Sequence, residues 1–286
     1  MTNQDKINAA ILLQDNTPID DFLGLTPNEI HHLLYKTYGD KSIVQFQKEI
    51  DDKTLDQIPM FRLAEEYLKI IQRDQQIKLT ALGALQKKVI TELYDKRLLL
   101  DETIESGITK LSREEDCIAI PSMRITLQHA GIVKKTKGKI TLTKKGAELI
   151  QPKNRLQLFK MFFQTYTDSF FWGYNDSYTE QPLGQLGWAF TAFMLNKFGN
   201  EERLAKFYAD KFLVAFPIVI TFFSDDILSS KRMYLNCYKV RSFERFFHWF
   251  GLVNIEKENK IFFNDNDRLT KTELLNSIFT FDENKD

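Results

Sequence analysis

Apolar positions fall into two alternating rhythms along the chain. Over residues 59–75, Leu63, Tyr67, Ile70 and Ile71 recur three or four apart, which places them on one helical face. Upstream, Thr26-Pro27-Asn28-Glu29 predicts a capped helix start through Ile30, Leu33 and Leu34. The Thr hydroxyl and Glu carboxylate satisfy backbone N–H groups reciprocally, and Pro at the first helical position sacrifices no needed donor. Gly39-Asp40 ends that helix, and 42–50 is expected to hold a short edge strand.

From residue 78 the pattern tightens. Lys78-Leu79-Thr80 is a brief extended piece, and Thr80-Ala81-Leu82-Gly83 leads into a helix with Leu85, Val89, Leu93 and Leu98 as its apolar set. Ser112-Arg113-Glu114-Glu115 is a second capping box, starting a short helix that carries Cys117 and Ile118. Pro121 suits the first turn of a new helix, so a turn is expected near Ala119-Ile120 and a helix over 121–130, stopped by Gly131. The period then switches to two. Residues 132–142 alternate apolar and polar positions around Lys137-Gly138, the pattern of a β-hairpin. Thr143 caps a closing helix through Ala147 and Ile150. Helix, helix, turn, helix, Gly, basic hairpin is the order of a winged helix-turn-helix domain.

A second copy is legible near the C-terminus. Ala130-Gly131-Ile132-Val133, Lys139-Ile140 and Leu142-Thr143-Lys144 can be laid beside Phe250-Gly251-Leu252-Val253, Lys260-Ile261 and Leu269-Thr270-Lys271. Thr270-Lys271-Thr272-Glu273 predicts a last capped helix through Leu274, Leu275 and Ile278. Aromatic-rich helical stretches over 156–171, 183–198 and 203–216 lie between the copies, and most of the 24 Phe residues are assigned to the core. The fold class is therefore mainly α (α+β). An acidic helical segment covers 1–75 and a winged helix 76–152. An aromatic helical region, 153–286, ends in a degenerate winged helix from about residue 228.

Two segments also carry a family likeness. Leu79-Thr80-Ala81-Leu82-Gly83-Ala84-Leu85 and Ala130-Gly131-Ile132-Val133, followed by Lys137-Gly138-Lys139-Ile140-Thr141-Leu142-Thr143-Lys144-Lys145-Gly146, resemble a group of uncharacterised bacterial proteins. That group carries L-T-x-x-G-x-L before one helix and A-G-L/I-V…K-G-K-x-x-L-T-x-x-G across a wing. The likeness covers about 70 of 286 residues and implies a winged-helix fold, with no reaction, ligand or catalytic residue attached. In both Leu-Thr-x-x-Gly segments Thr is expected to cap the next helix, and Gly to allow close packing against the hairpin.

Composition narrows the function classes. Lys+Arg and Asp+Glu both number 39, so no global field draws the chain to nucleic acid or anionic lipid. The balance hides a gradient. Residues 1–72 carry 7 basic and 12 acidic side chains, whereas 73–150 carry 15 and 10. The longest apolar run, 212–223, has twelve residues and contains Pro217, short of the about 20 that a bilayer span needs. With no basic region and apolar core at the N-terminus to read as a secretory signal, a cytoplasmic location is expected. Cys117 and Cys237 stand 120 residues apart, without the spacing of a disulfide framework or zinc site. Adjacent His31 and His32 point about 100° apart on a helix, so no metal site is expected there. No cofactor motif is written, and no nucleophile–base or carboxylate pair is singled out, so the chain reads as non-enzymatic.

The sharpest candidate is the wing. Lys134, Lys135, Lys137, Lys139, Lys144 and Lys145 fall within twelve residues free of acid, the chemistry of phosphate contact. Arg124, Gln128 and His129, with Ser122 and Thr126, are what the 121–130 helix offers to base edges. The second copy argues otherwise, because Phe243, Phe246, Phe247, Trp249 and Phe250 surround its corresponding helix and predict burial. Two partner classes follow: nucleic acid through the 132–146 wing, as for a DNA-associated regulator, or a protein partner for an interaction or scaffold module.

Overall fold

Thr26 and Glu29 form the expected reciprocal cap. The Glu29 N–H donates to the Thr26 hydroxyl at 3.2 Å, and the Thr26 N–H donates to the Glu29 carboxylate at 2.8 Å. Helix α1 (Pro27–Tyr35) follows, then strand β1 (Val44–Phe46), which pairs antiparallel with residues 279–281 at the far end of the chain. The computed structural model describes residue 8 and residues 13–223, 227–257 and 266–282.

A short helix α2 (Asp52–Leu55) precedes α3 (Pro59–Asp74), which buries the predicted face of Leu63, Tyr67, Ile70 and Ile71. Next come β2 (Ile77–Lys78), α4 (Lys87–Tyr94), α5 (Glu102–Glu105), α6 (Ala119–His129), β3 (Val133–Thr136), β4 (Lys139–Leu142) and α7 (Lys144–Leu149). The three strands form an antiparallel sheet in the order β2-β4-β3, and α6 packs against α3. This sheet unit therefore includes α3, upstream of residue 76.

Three local expectations change. Helix α6 takes Pro121 into its own first turn, where a missing N–H costs nothing, so no break occurs at Ala119-Ile120. Ser112 is not a cap, because Glu114 is drawn inward. The Asp116 carboxylate instead accepts from the Ser112 and Arg113 N–H groups and closes one 3-10 turn. Thr80 holds a turn by accepting from the Ala84 N–H at 3.1 Å, and the helix begins only at Lys87. The second Leu-Thr-x-x-Gly behaves as expected. Thr143 accepts from the Gly146 N–H at 2.9 Å and donates to the Gly131 carbonyl at 2.7 Å. A Cβ at Gly146 would lie 2.0 Å from the Ile132 carbonyl oxygen, so only glycine allows the helix this close to the hairpin.

Helix α8 (Arg155–Asp168) links the halves and packs against α6. Beyond it lie α9 (Trp188–Phe198), β5 (Arg203–Leu204), α10 (Ala205–Ala215), α11 (Ile227–Tyr238) and a π-helix (Lys239–Phe247). The chain continues through β6 (Val253–Glu256), β7 (Arg268–Lys271), α12 (Glu273–Ile278) and β8 (Phe279–Phe281). Pro217 opens a 3-10 stretch within the long apolar run. Among the described residues no helix is long and apolar enough to cross a membrane.

The two halves repeat one geometry. The second sheet has the order β5-β7-β6, matching β2-β4-β3. Gly131 and Gly251 both adopt left-handed φ, +67° and +72°. The Thr272 hydroxyl donates to the Gly251 carbonyl at 2.7 Å, as Thr143 does to Gly131. Ladder register corrects the sequence alignment. Val133 pairs with Leu142 and Val253 with Lys271, so Thr143 corresponds to Thr272, two residues past the expected Thr270. This unit begins with α9, well before residue 228. Lys260 and Ile261, with the rest of 258–265, lie outside the described residues.

Aromatic rings fill the space around α8. Phe163 has ring neighbours Trp188, Phe246, Phe250 and Phe279 at 5.0–5.7 Å, and Phe159 on the same helix meets Phe61 of α3 at 5.3 Å, so both sheet units share one core. The chain is a mainly helical α+β protein.

Candidate nucleic-acid interface

The lysine hairpin is built by its turn. Lys137 and Gly138 both take positive φ, +48° and +72°, the mirror-image turn whose twist suits adjoining strands. Pleating then sorts the side chains. Val133, Ile140 and Leu142 turn inward, while Lys134, Thr136 and Lys139 line the outer face. Lys134, Lys135, Lys137, Lys139, Lys144 and Lys145 are all exposed. Lys145 is drawn back, donating to the Ala130 carbonyl at 2.9 Å and capping α6. Pairing of β2 with β4 adds a lysine that local pattern did not reveal. Lys78 lies directly across the ladder from Lys139, and like charges so placed repel unless an anion intervenes.

Helix α6 does not offer the face expected of it. Arg124 is buried and donates from Nε to Glu114 Oε1 at 2.5 Å and from Nη2 to Oε2 at 3.1 Å. Its guanidinium is committed to the interior and withdrawn from any base edge. Ser122 and Thr126 are buried too, each donating to a carbonyl of the preceding turn. Gln128 is half-buried and donates to the Arg124 carbonyl at 3.3 Å, so only His129 is exposed. The cause is the position of α6 between α3 and α8, which cover the surface that a free helix would present.

Other candidates resolve into structure. The His31 and His32 rings stand edge to face with centroids 5.8 Å apart, and burial lowers the His32 pKa. Among the described residues no cluster of His, Cys, Asp or Glu is placed to hold a metal ion. Burial pushes both thiols, Cys117 and Cys237, up to about 12, so neither is a nucleophile at neutral pH. In the loop from Trp172 to Tyr178, Asp176 is clamped by Arg241, and Trp172 Nε1 donates to the Tyr166 carbonyl at 2.9 Å.

A cleft of about 300 Å³ opens between the sheet units, lined by Asp101 and Glu102 from one and Glu244, Arg245, His248 and Lys257 from the other. Lys257 Nζ lies 2.9 Å from Glu102 but 3.8 Å from Glu244. Desolvation raises the Glu244 pKa against the pull of Lys257 and Arg245, and lowers that of His248. A raised carboxyl contributes stability that is complete below the ordinary glutamate value and is lost as pH climbs through the raised one. Glu244→Gln removes that loss. It should raise Tm at pH 7.5 and leave it unchanged at pH 4, by calorimetry. His248 acts in the opposite window, losing stability as pH falls below about 6.5, and cancels between variant and wild type.

Residues 56–155 match the family described as Y4jL N-terminal domain. No curated protein and no solved structure matches the chain. The matched stretch runs from just before α3 to the first residue of α8, so it spans the first sheet unit and contains every candidate residue of the hairpin and of α6.

Proposed function

We propose that the chain is a non-enzymatic tandem winged-helix protein, with units over about 59–149 and 188–278, that holds duplex DNA by its phosphates. The observation that carries this reading is the hairpin itself: exposed Lys134, Lys135, Lys137 and Lys139, joined by Lys78 across the ladder. Among the described residues none of these five forms a salt bridge within the chain, so their charge is free for an outside anion. Helix α6 is the element that reads bases in winged-helix proteins, and here Arg124 faces inward. Binding is therefore to the backbone, without base readout by that residue.

Fluorescence anisotropy with a labelled random duplex tests the proposal. Four phosphates neutralised by the hairpin would cost roughly 100-fold in affinity between 50 and 200 mM salt. The Lys134/Lys135/Lys137/Lys139→Ala variant should lose most of the affinity and most of the salt slope. No binding at tens of micromolar protein in low salt refutes the reading. The second reading, a packing or scaffold module, is favoured by full burial of Phe243, Phe246, Phe247 and Phe250 around the π-helix. It predicts no salt-dependent DNA binding.

A further inference from the structure

Leu82 is 97 % exposed, the most exposed large apolar side chain among the described residues. It does not sit on a loose loop. The Thr80 N–H donates to the Ala84 carbonyl and the Gly83 N–H to the Thr80 carbonyl, both at 2.9 Å. Each end of the turn is also anchored to the body of the unit. The Leu79 N–H donates to the Gly138 carbonyl at the hairpin turn, at 2.9 Å. The Leu85 N–H donates to the buried Glu114 carboxylate at 2.8 Å. An apolar side chain is thus held rigidly in water where folding gains nothing from it.

Its neighbours define what it could enter. Ala81, Gly83 and Ala84 add almost no width, so Leu82 is the single bulky group on a slim tip. Lys135 reaches this tip, because a Cβ built on Gly83 would lie 2.5 Å from Lys135 Nζ. A narrow apolar point beside lysines fits a minor groove about 6 Å wide, flanked by phosphates. Leucine is among the apolar side chains that wedge between base steps from the minor groove and kink a duplex. A lipid surface is the poorer fit, since even a single myristoyl chain gives only marginal membrane binding.

We propose that Leu82 is a wedge that enters the minor groove of duplex DNA and bends it while the lysine hairpin grips the adjoining phosphates. This rests on the phosphate-binding reading above and adds a deformation to it. The bend would make affinity depend on how easily a sequence kinks, favouring steps such as TA and CA/TG.

The test is energy transfer between dyes at the two ends of a duplex far shorter than the persistence length of about 150 bp. Wild type and Leu82→Ala are compared at saturating protein and low salt, with circular dichroism to check folding. Wild-type binding should shorten the end-to-end distance. L82A should bind within about tenfold of wild type and leave the duplex straight, and a TA step at the centre should tighten wild type but not L82A. Wild type binding without a bend, or L82A bending as much, overturns the wedge while the phosphate reading stands. No duplex binding by wild type overturns both. Leu82-dependent capture by vesicles containing phosphatidylserine, without duplex binding, reassigns the tip to membranes and overturns the wedge.

Discussion

Arg241→Met should lower the melting temperature by about 10 °C and free the loop from Trp172 to Tyr178, a larger effect than any surface change. Arg241 is fully buried on the π-helix. It donates from Nε to Asp176 at 2.5 Å, from Nη1 to the Gln181 carbonyl at 2.6 Å, and from Nη2 to the Thr179 carbonyl at 2.7 Å. The Asp176 side chain is 1 % exposed, so methionine would leave a buried ionised carboxylate with only the Tyr178 N–H, and the Thr179 carbonyl without its arginine donor. Breaking a buried ion pair from one side costs about 3–5 kcal/mol, and about 2–4 °C of Tm goes with each kcal/mol in a chain near this size. Thermal unfolding checks the magnitude, and hydrogen exchange over 171–187 checks the location. A loss of less than about 1 kcal/mol, small beside that range, would show that water reaches Asp176 readily.

Arg124→Met should also cost about 3–5 kcal/mol, while DNA affinity at low salt stays close to wild type. A base-reading arginine predicts the reverse, with binding lost and stability kept. The geometry decides between these outcomes because both guanidinium contacts end on Glu114, itself 1 % exposed. The Glu114→Leu/Arg124→Met double variant should be more stable than Arg124→Met alone. It removes the stranded charge and leaves only the Leu85 N–H without its acceptor, worth about 1–3 kcal/mol. Urea unfolding of the three proteins beside a duplex titration measures both halves of this expectation. Equal stability of the single and double variants would place the cost in lost packing of the arginine stem.

One ion pair lies beneath the turn proposed to meet DNA, and the other beside the cleft between the units. Glu114 anchors the base of the Leu82 turn, and Arg241 fixes the loop that supplies Asp176 and Tyr178 to the cleft between the units. Rigidity at the lysine hairpin and its neighbouring tip therefore comes from buried charge as well as from apolar packing. The shared aromatic core around Phe163 ties the second unit to the first, so damage to the π-helix is felt across the chain.

Much of the local structure was legible because its causes are local. The Thr26–Glu29 cap, the apolar face of α3, the Gly131 stop, the Lys137-Gly138 turn and the Thr143 cap depend on side chains within a few residues of each other. Hydrogen-bond reach and helical or strand period then fix the answer. The exposure of Lys134 and Lys139 was legible for the same reason, since alternation around a two-residue turn puts them on the outer face, whereas Lys135 pairs with Ile140 on the inner face and is exposed all the same.

What the chain pattern could not settle was every property decided by distant partners. Arg124 reads as a polar helix residue until α3 and α8 cover α6, after which its charge must pair with Glu114. Lys78 joins the hairpin only through ladder pairing with a residue 61 positions later. The two-residue shift in the repeat, from Thr270 to Thr272, appears only in the β6–β7 register, because short Leu-Thr-Lys matches do not encode strand pairing. The sequence by itself determined the Thr26 and Thr143 caps, the apolar face of α3 and the basic hairpin, but not the helix starts expected at Ser112 and Thr80. Tertiary structure alone decided which charges are buried, Arg124 with Glu114 and Arg241 with Asp176, because burial depends on packing between residues far apart in the chain.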